Sequence, residues 1–442
     1  MIPSLRIASA LAAAVLSLAA CASGPTTRAA TDAARSEPSS MDRIAESYVK
    51  LVLAIGRHDA DFVDAYYGPP AWKAESDSTK VPLDELRRRA ESIANELAAA
   101  DAGREDASRA RHAYLTGQMR AVRTRLDMLG GRKLTFDEES RLLYDAVAPT
   151  YSGAHYDSVL ARLEAAIPGS GPIAERYTRW RGGFVVPPAK VDSVFTASIA
   201  ECRRRTAART TLPPGESFTV EYVTGKTWSG YNWYQGNYRS LIQVNTDLPI
   251  YIDRAIDLAC HEGYPGHHVY NAMLEQALVR QRGWVEFSVY ALFSPQSLIA
   301  EGTANYGIRL AFPDEERASW EQRNLWPLAG LEPSKAAEYY QVQELVRELS
   351  YAGNEAARRY IDGRMTAQQA ADWMVRYELR SPQSAAQRVR FVDQYRSYVI
   401  NYNLGQDIVR EYVERRAGND QARRWEVFLD LLASPRLPSA LR

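Results

Sequence analysis

The sequence has little cysteine, no excess of either charge and no long apolar run in its body, and each absence narrows the class of protein. Three cysteines in 442 residues are too few for a disulfide framework. Lysine plus arginine and aspartate plus glutamate each number 54, so the basic excess typical of nucleic-acid binding is missing. No segment after the N-terminus has the run of about 18 apolar residues that a membrane helix needs. We therefore expect a soluble body that does not bind nucleic acid.

The first twenty residues have the features of a secretion signal. Arg6 precedes a mainly apolar run of fourteen residues, which has the length of a signal core. The run ends in Leu-Ala-Ala before Cys21, which resembles the lipobox of bacterial lipoproteins and implies lipidation of Cys21. The alternative is an ordinary signal peptide that contains a cysteine. Ala22, where inner-membrane lipoproteins have aspartate, favours the outer membrane, facing the periplasm. Residues 21–41, rich in Ala, Ser, Thr and Pro, predict a flexible tether.

The periodicity of apolar residues predicts one mainly helical domain over residues 42–442, with Asp42 as the cap of its first helix. Around residue 217 the pattern changes to the alternation expected of strands, at residues 218–222 and 241–244. Long stretches rich in Ala, Leu, Arg and Glu predict further helices over residues 83–102, 105–128 and 189–209. The predicted fold class is mainly α (α+β), a large helical domain with a small β-sheet at the edge of a cleft.

The segment HEGYPGHH is the densest cluster of potential metal ligands in the chain. It contains three of the six histidines, His261, His267 and His268, and Glu262 directly follows the first. Imidazole nitrogen suits zinc, and a carboxylate beside the metal can accept a proton from water. The cluster therefore predicts metal-assisted hydrolysis.

The usual H-E-x-x-H spacing is absent, because Pro265 occupies the position of the second histidine. A proline inside a helix lacks the backbone donor and clashes with the preceding turn, so the helix should break near Tyr264. On an unbroken helix neither His267 nor His268 would share an ion with His261. With the break, His267 can become the second ligand, and His268 is the alternative.

Together with AEGTANYG further along, this segment resembles the H-E-x-x-P-G-H-H and E-G-x-A-x-Y motifs of the bacterial family called domain of unknown function 885. That family is grouped with the gluzincin-like metallopeptidases, and the resemblance covers about the last half of the chain. It implies a zinc peptidase with His261 and His267 as ligands, Glu301 as third ligand and Glu262 as general base.

The residues around Glu301 support a buried position for this carboxylate. Leu298, Ile299 and Ala300 precede it, and a buried carboxylate needs a cation such as a metal. The alternative is a solvated carboxylate on a helix. Asn305 lies one helical turn further on, where it can orient a metal ligand by a hydrogen bond.

The substrate-binding residues are predicted from the same resemblance. Gluzincin-like enzymes pair an edge strand with the substrate backbone, and Leu241, Gln243 and Asn245 occupy the corresponding strand. The preceding aromatic segment, residues 228–238, contains Gly and Asn between its rings, which favours a loop lining the groove over a packed core.

Two further residues are predicted to contact the substrate from the C-terminal part of the chain. Tyr402, in a Y-x-x-G motif, resembles the tyrosine that hydrogen-bonds the tetrahedral intermediate in this superfamily. It shares a predicted helical face with Tyr395 and Tyr398, a pattern that is also typical of core packing. Arg396 can bind a substrate carboxylate through two parallel bonds.

Two cysteines remain in the body, Cys202 and Cys260, and they can pair in an oxidising compartment. Cys260 adjoins His261, but neighbours on a helix point about 100° apart, so a buried structural thiol is favoured over a metal ligand. The sequence as a whole predicts a lipid-anchored zinc peptidase that hydrolyses oligopeptides. The alternatives are a non-catalytic surface lipoprotein that binds metal or peptide, and a metal-free hydrolase that uses paired carboxylates.

Overall fold

Helices make up most of the chain, and the predicted mainly helical fold with a small sheet is confirmed. The computed structural model describes residues 39–442, apart from the side chains at positions 314 and 315. The predicted signal, residues 1–20, and Cys21 lie outside the described residues, as does the tether up to residue 38. Across residues 39–442, no helix combines the length and the apolar character needed to cross a membrane.

The α-helices of the described residues are, in chain order, α1 (Ser40–Ile55), α2 (Pro70–Ser78), α3 (Leu83–Ala99), α4 (Asp106–Leu129), α5 (Phe136–Tyr144), α6 (Gly153–Ala166), α7 (Ile173–Gly182), α8 (Val191–Ala207), α9 (Ile252–Leu258), α10 (His267–Leu274), α11 (Pro295–Ala311), α12 (Asp314–Ala329), α13 (Ala336–Arg347), α14 (Ala352–Ile361), α15 (Ala367–Tyr377), α16 (Pro382–Tyr395), α17 (Ile400–Ala417) and α18 (Gln421–Leu432). The predicted helices over residues 83–102, 105–128 and 189–209 correspond to α3, α4 and α8.

The first helix begins three residues earlier than predicted. Ser39, not Asp42, is its N-cap, and its hydroxyl accepts a hydrogen bond from the Asp42 backbone N–H at 3.2 Å. The Asp42 carboxylate in turn accepts a hydrogen bond from the Ser39 backbone N–H. The two residues therefore form a capping box that satisfies both backbone N–H groups. The last residues assigned to the tether, 40 and 41, therefore belong to α1.

The larger sheet contains three strands, β2 (Ser217–Val223), β3 (Gly230–Gly236) and β4 (Arg239–Asn245), in the order β2-β4-β3. A separate antiparallel pair, not predicted, joins β1 (Val63–Tyr66) to β5 (Val289–Ala291). Strand β4 is parallel to β2 and antiparallel to β3, so the strand predicted at the edge is the central one.

Strand β3 lies within the aromatic segment that was predicted to be a loop. It forms a hairpin with β4 through Asn237 and Tyr238, whose φ angles of 52° and 60° fit a two-residue type I′ turn. That turn matches the twist of the paired strands. The glycines and asparagines that suggested a loop thus belong partly to the hairpin and its turn.

Helix α11 is buried on nearly all sides and crosses α17 at two glycines. A Cβ atom on Gly302 would lie 2.4 Å from the Gly405 carbonyl oxygen, and one on Gly405 would lie 2.7 Å from the Leu298 carbonyl oxygen. Only glycine allows this close approach of the two backbones. The crossing places Glu301, on α11, next to the helix that carries Tyr402.

Candidate metal centre

The backbone of the histidine segment changes direction between His261 and His267. Helix α9 continues into a π-helical turn, Ala259–Gly263, the helical path ends at Tyr264, and α10 begins at His267. The predicted break near Tyr264 is therefore confirmed. Gly266 is required by the sharp turn, because a Cβ atom there would lie 1.8 Å from the His261 carbonyl oxygen. The two imidazoles are thereby brought together.

Three potential ligand atoms converge where this segment meets α11. The His261 Nε2 atom lies 3.1 Å from His267 Nε2 and 3.2 Å from Glu301 Oε2, and the distance from His267 Nε2 to Glu301 Oε2 is 3.8 Å. Tetrahedral zinc with bonds of about 2.0–2.2 Å needs ligand atoms roughly 3.3 Å apart. The spacing of these atoms fits one such ion.

The unsatisfied carboxylate oxygen of Glu301 also fits a cation. Its Oε2 atom is buried and accepts no hydrogen bond of normal geometry within the described residues. Its other oxygen, Oε1, accepts a hydrogen bond from the Tyr398 hydroxyl at 2.8 Å. Burial opposes the charge of Glu301, but the two neighbouring imidazoles hold its pKa well below its usual range. Glu301 therefore stays ionised and directs a free oxygen at the two histidines.

Asn305 determines which nitrogen of His261 faces the centre. Its side-chain N–H donates to the Tyr402 carbonyl oxygen at 3.1 Å, so its Oδ1 faces His261 Nδ1, also at 3.1 Å. An amide oxygen accepts only, and Nδ1 must therefore carry the proton. The lone pair of His261 is then on Nε2, the atom directed at Glu301 and His267.

His268 is not placed as a ligand, which decides between the two histidines left open by the sequence. It is buried, with Nδ1 2.9 Å from the Ser240 hydroxyl and Nε2 3.0 Å from a Glu216 carboxylate oxygen. The Tyr264 hydroxyl donates to the same Glu216 oxygen at 2.5 Å. His268 therefore links the turn that follows His261 to strand β4 through hydrogen bonds.

Glu262 is buried next to the three candidate ligand residues, with its carboxylate against the backbone of Gly230. A Cβ atom on Gly230 would lie 2.7 Å from Glu262 Oε1, so a side chain there would displace the carboxylate. Burial raises the pKa of Glu262 to about 7, with His267 opposing the rise and Glu301 adding to it. A carboxylate of this pKa can both take and return a proton near neutral pH.

A cavity of about 760 Å³ opens onto these residues and onto the first half of β3. The Asn245 backbone N–H donates to the Ser229 carbonyl oxygen at 2.9 Å, so alternate residues from Ser229 onward face β4. The backbone groups of Gly230 and Asn232 consequently point away from β4. Strand β3, rather than β4, offers an edge to the cleft.

The predicted role of Leu241, Gln243 and Asn245 as an edge strand is therefore wrong. Both sides of β4 are occupied, by β2 and β3. The Gln243 side-chain oxygen accepts a hydrogen bond from the Trp233 indole N–H. The Asn245 side chain donates to carbonyl oxygens of the loop before β3. Of the three, only Asn245 lines the cleft.

Arg396 forms an ion pair with Glu139, which contradicts its predicted role in binding a substrate carboxylate. Its Nε donates to the buried carboxylate of Glu139 at 2.6 Å, and it is absent from the cleft lining. Glu139 also accepts bonds from the Ser397 backbone and hydroxyl. Arg396 thus neutralises a buried acid at the junction of α16 and α17.

Tyr402 lines the cleft, although the three tyrosines do not share one helix as predicted. Helix α16 ends at Tyr395, Tyr398 lies in a 3₁₀ turn and Tyr402 belongs to α17. The rings still pack in series, with centroids 6.0 and 5.8 Å apart. Burial, followed by the charges of Glu301 and Glu262, raises the pKa of Tyr402 well above its usual value.

The cleft residues that the sequence analysis did not identify include Asp64 and Arg388. Asp64, on β1, accepts a hydrogen bond from the Tyr231 hydroxyl, and burial raises its pKa to about 6. Its strand pairs only with β5, more than 200 residues later, so no local pattern indicates its position.

The two body cysteines form a disulfide, Cys202–Cys260, between α8 and the π-helical turn. The prediction that Cys260 is buried and is not a metal ligand agrees with this position. The pairing, which the sequence left open, ties the residue before His261 to a neighbouring helix.

Comparison with known proteins identifies no family. No protein-family model matches the chain, and no curated protein matches it. A solved structure of a candidate lipoprotein from Colwellia psychrerythraea is 16% identical, covers 92% of this chain and 75% of its own, and has a TM-score of 0.48. A structure described as that of CHT is 10% identical, covers 89% and 90% of the two chains, and has a TM-score of 0.38. Likenesses of this size are too distant to inform on function.

Proposed function

We propose that the protein is a zinc-dependent peptidase that hydrolyses oligopeptides. The observation that carries the proposal is the convergence of His261 Nε2, His267 Nε2 and Glu301 Oε2, with the buried carboxylate of Glu262 beside them in the same cleft. A binding protein needs the three ligands but has no need of a further buried carboxylate next to them.

His261, His267 and Glu301 would hold the zinc ion. A zinc ion with three protein ligands is a Lewis acid that polarises a carbonyl group and makes water acidic near neutral pH. Asn305 keeps the His261 lone pair directed inward, and the Tyr398 hydroxyl leaves only one Glu301 oxygen free for the ion.

Glu262 carries the proton through the reaction. Its carboxylate takes a proton from the attacking water, whose oxygen bonds to the peptide carbonyl carbon. The same carboxyl group then delivers that proton to the peptide nitrogen as the C–N bond breaks, which leaves a carboxylic acid and an amine.

Tyr402 is the candidate donor to the carbonyl oxygen as negative charge develops on it. Within residues 39–442 its hydroxyl makes no hydrogen bond, whereas the Tyr398 hydroxyl is committed to Glu301. The raised pKa of Tyr402 keeps its proton in place at neutral pH, as a donor requires.

The edge of β3 favours a peptide over other substrates. The outward backbone groups of Gly230 and Asn232 can pair with an extended peptide backbone, which recognises peptides of many sequences. Gly230 also borders Glu262, so a chain paired there would lie beside the proposed proton carrier.

The test is metal analysis of the purified full-length protein together with digestion of an oligopeptide library. We expect one zinc per chain and peptide cleavage that a chelator abolishes. Glu262→Gln should keep the zinc and lose cleavage by a factor on the order of 10²–10⁴. The matched control is Glu411→Gln on the exposed face of α17. Cleavage by Glu262→Gln at the parent rate would refute the mechanism, and bound zinc without any cleavage would favour the non-catalytic alternative.

We also propose the lipid anchor at Cys21 and an outer-membrane location. Mass spectrometry of the mature N-terminus tests the lipid, and Cys21→Ala should move the protein from the membrane fraction to the soluble fraction. An unmodified Cys21 in the mature protein would contradict this proposal.

A further inference from the structure

One face of α16 lines the same cleft as β3. Ser384, Gln387, Arg388, Phe391 and Tyr395 recur at helical spacing along this face and all line the cavity. Arg388, in the middle of the face, is the only charged residue among them, and it is half-buried.

The Arg388 guanidinium lacks a carboxylate partner within residues 39–442. The other arginines of the cleft have partners. Their ion pairs include Arg181–Asp253, Arg254–Asp257, Arg317–Asp257, Arg317–Glu321 and Arg380–Glu378, with N–O separations of 2.7–3.3 Å, and Arg347 pairs with Glu344. Arg309 and Arg347 also interact with neighbouring groups. Arg388 therefore differs from the rest in having its hydrogen-bonding edge available.

Aromatic rings hold this guanidinium in place. Its central carbon lies 4.6 Å from the ring centroid of Phe391 and 5.6 Å from that of Tyr402. Stacking of this kind stabilises the cation through its flat face and leaves the N–H groups of its edge free. Burial and the nearby Arg380 lower the pKa of Arg388, and the more distant charges of Glu378 and Glu301 only partly oppose this lowering.

The geometry points to Arg388 as the group that binds the terminal carboxylate of the substrate, which makes the substrate a peptide with a free C-terminus. This inference rests on the proposed peptidase function. A carboxylate offers two oxygens to the two parallel N–H groups of a guanidinium, the strongest pairing available to an unpartnered arginine in a cleft.

The position of Arg388 indicates where the chain would be cut. The guanidinium stacks near Tyr402, the proposed donor at the reacting carbonyl, and an extended residue spans about 3.3–3.6 Å. A terminal carboxylate bound to Arg388 and a peptide carbonyl bound to Tyr402 would therefore be separated by roughly one or two residues of an extended substrate. Cleavage should release one or two residues from the C-terminal end, with C–N hydrolysis as described above.

The experiment measures binding in the Glu262→Gln background, where peptides are held without turnover. The protein is loaded with zinc and mixed with one of three peptide probes. These are N-acetyl-tetraalanine with a free C-terminal carboxylate, the same peptide as its C-terminal amide, and tetraalanine amide with a free amine. We expect the carboxylate peptide to bind about 10- to 100-fold more tightly than either amide. Arg388→Met should reduce this preference to under about 3-fold, and Arg388→Lys should retain part of it because the charge remains. Arg390→Met, exposed on the same helix, is the control and should keep the full preference.

Equal binding of the carboxylate and amide peptides to the Glu262→Gln protein with Arg388 intact would overturn the inference. A preference that persists in Arg388→Met would also overturn it, since another residue would then be responsible. Tighter binding of the peptide with a free amine would assign recognition to the opposite end, through an acid such as Asp64.

The two proposals fail in different ways. If the parent protein prefers the carboxylate peptide but cleaves nothing, the carboxylate site stands and the peptidase function does not. If it cleaves acid and amide peptides equally well in the presence of zinc, the peptidase function stands and the role of Arg388 is refuted.

Discussion

Replacing Gly405 by alanine should separate the two helices that bring the ligand residue Glu301 close to Tyr402. The added Cβ atom would lie 2.7 Å from the Leu298 carbonyl oxygen and 3.1 Å from the Gly302 Cα and N atoms. An unstrained carbon–oxygen contact is about 3.3 Å, so α17 must move by at least roughly 0.6 Å. Overpacking of this kind costs about 1–3 kcal/mol of the free energy of unfolding. With an unfolding entropy of about 2.1 cal/mol/K per residue, that cost lowers the melting temperature by roughly 1–4 °C for a domain of this size.

The same movement should impair the chemistry more than the metal site. Helix α17 carries Tyr402, whereas His261, His267 and Glu301 lie on other elements. We therefore expect zinc affinity to stay within about 3-fold of the parent, while kcat/KM for peptide cleavage falls about 10- to 100-fold because Tyr402, the proposed oxyanion donor, is misplaced.

Thermal melting, zinc titration and peptide cleavage of Gly405→Ala measure these effects. The matched control is Gly182→Ala at the end of α7, where an added Cβ atom meets nothing within 4 Å. That substitution should leave cleavage unchanged and stabilise the chain by up to about 1 kcal/mol. A Gly405→Ala protein with the melting temperature and the cleavage rate of the parent would refute the close crossing of α11 and α17.

Three further predictions concern stability. Replacing both Cys202 and Cys260 by alanine should lower the free energy of unfolding by up to about 4 kcal/mol in denaturant titrations, because the disulfide closes a loop of 58 residues. If reducing the disulfide of the parent protein left its denaturation midpoint unchanged, this prediction would be contradicted. Burial raises the pKa of Glu321, with the Arg317 guanidinium opposing the rise, so its carboxyl group holds a proton more tightly in the folded chain and the free energy of unfolding falls as the pH rises above about 4.5. Glu321→Gln should flatten that dependence of the free energy of unfolding on pH, and an identical dependence would count against the raised pKa. Zinc at about 100 times its Kd should stabilise the parent by about 2.7 kcal/mol in the same titrations, His267→Ala should lose this gain and His112→Ala should keep it.

The sequence correctly predicted those features of the fold that are determined by residues close together in the chain. The helices follow from apolar periodicity, and the break after Tyr264 follows from the missing backbone donor of Pro265. The order of the strands depends on pairing between distant segments, so β4 was wrongly placed at the edge. The hairpin through Asn237 and Tyr238 carried a usable signal, a two-residue turn between alternating residues, which the dense aromatic segment obscured.

The candidate site was predictable where its residues lie in motifs and not where they meet only in space. His261, His267 and Glu301 stand in motifs, and the structure brings them together. The choice between His267 and His268 required the positions of Ser240 and Glu216, which lie in another part of the chain.

The arginine assignment failed for the same reason. Arg396 and Arg388 are equivalent as residue types, and only the distant partner Glu139 distinguishes them. A guanidinium that already pairs with a buried acid is unavailable to a ligand, and that pairing joins α5 to the start of the 3₁₀ turn before α17.

The free side of β3 lies within a cavity rather than on the open surface. Unpaired strand edges on a protein surface tend to join strands of other molecules, which leads to aggregation. A cavity of about 760 Å³ is far smaller than a folded domain, so the backbone groups of Gly230 and Asn232 are better placed to pair with one extended peptide than with the sheet of a second copy.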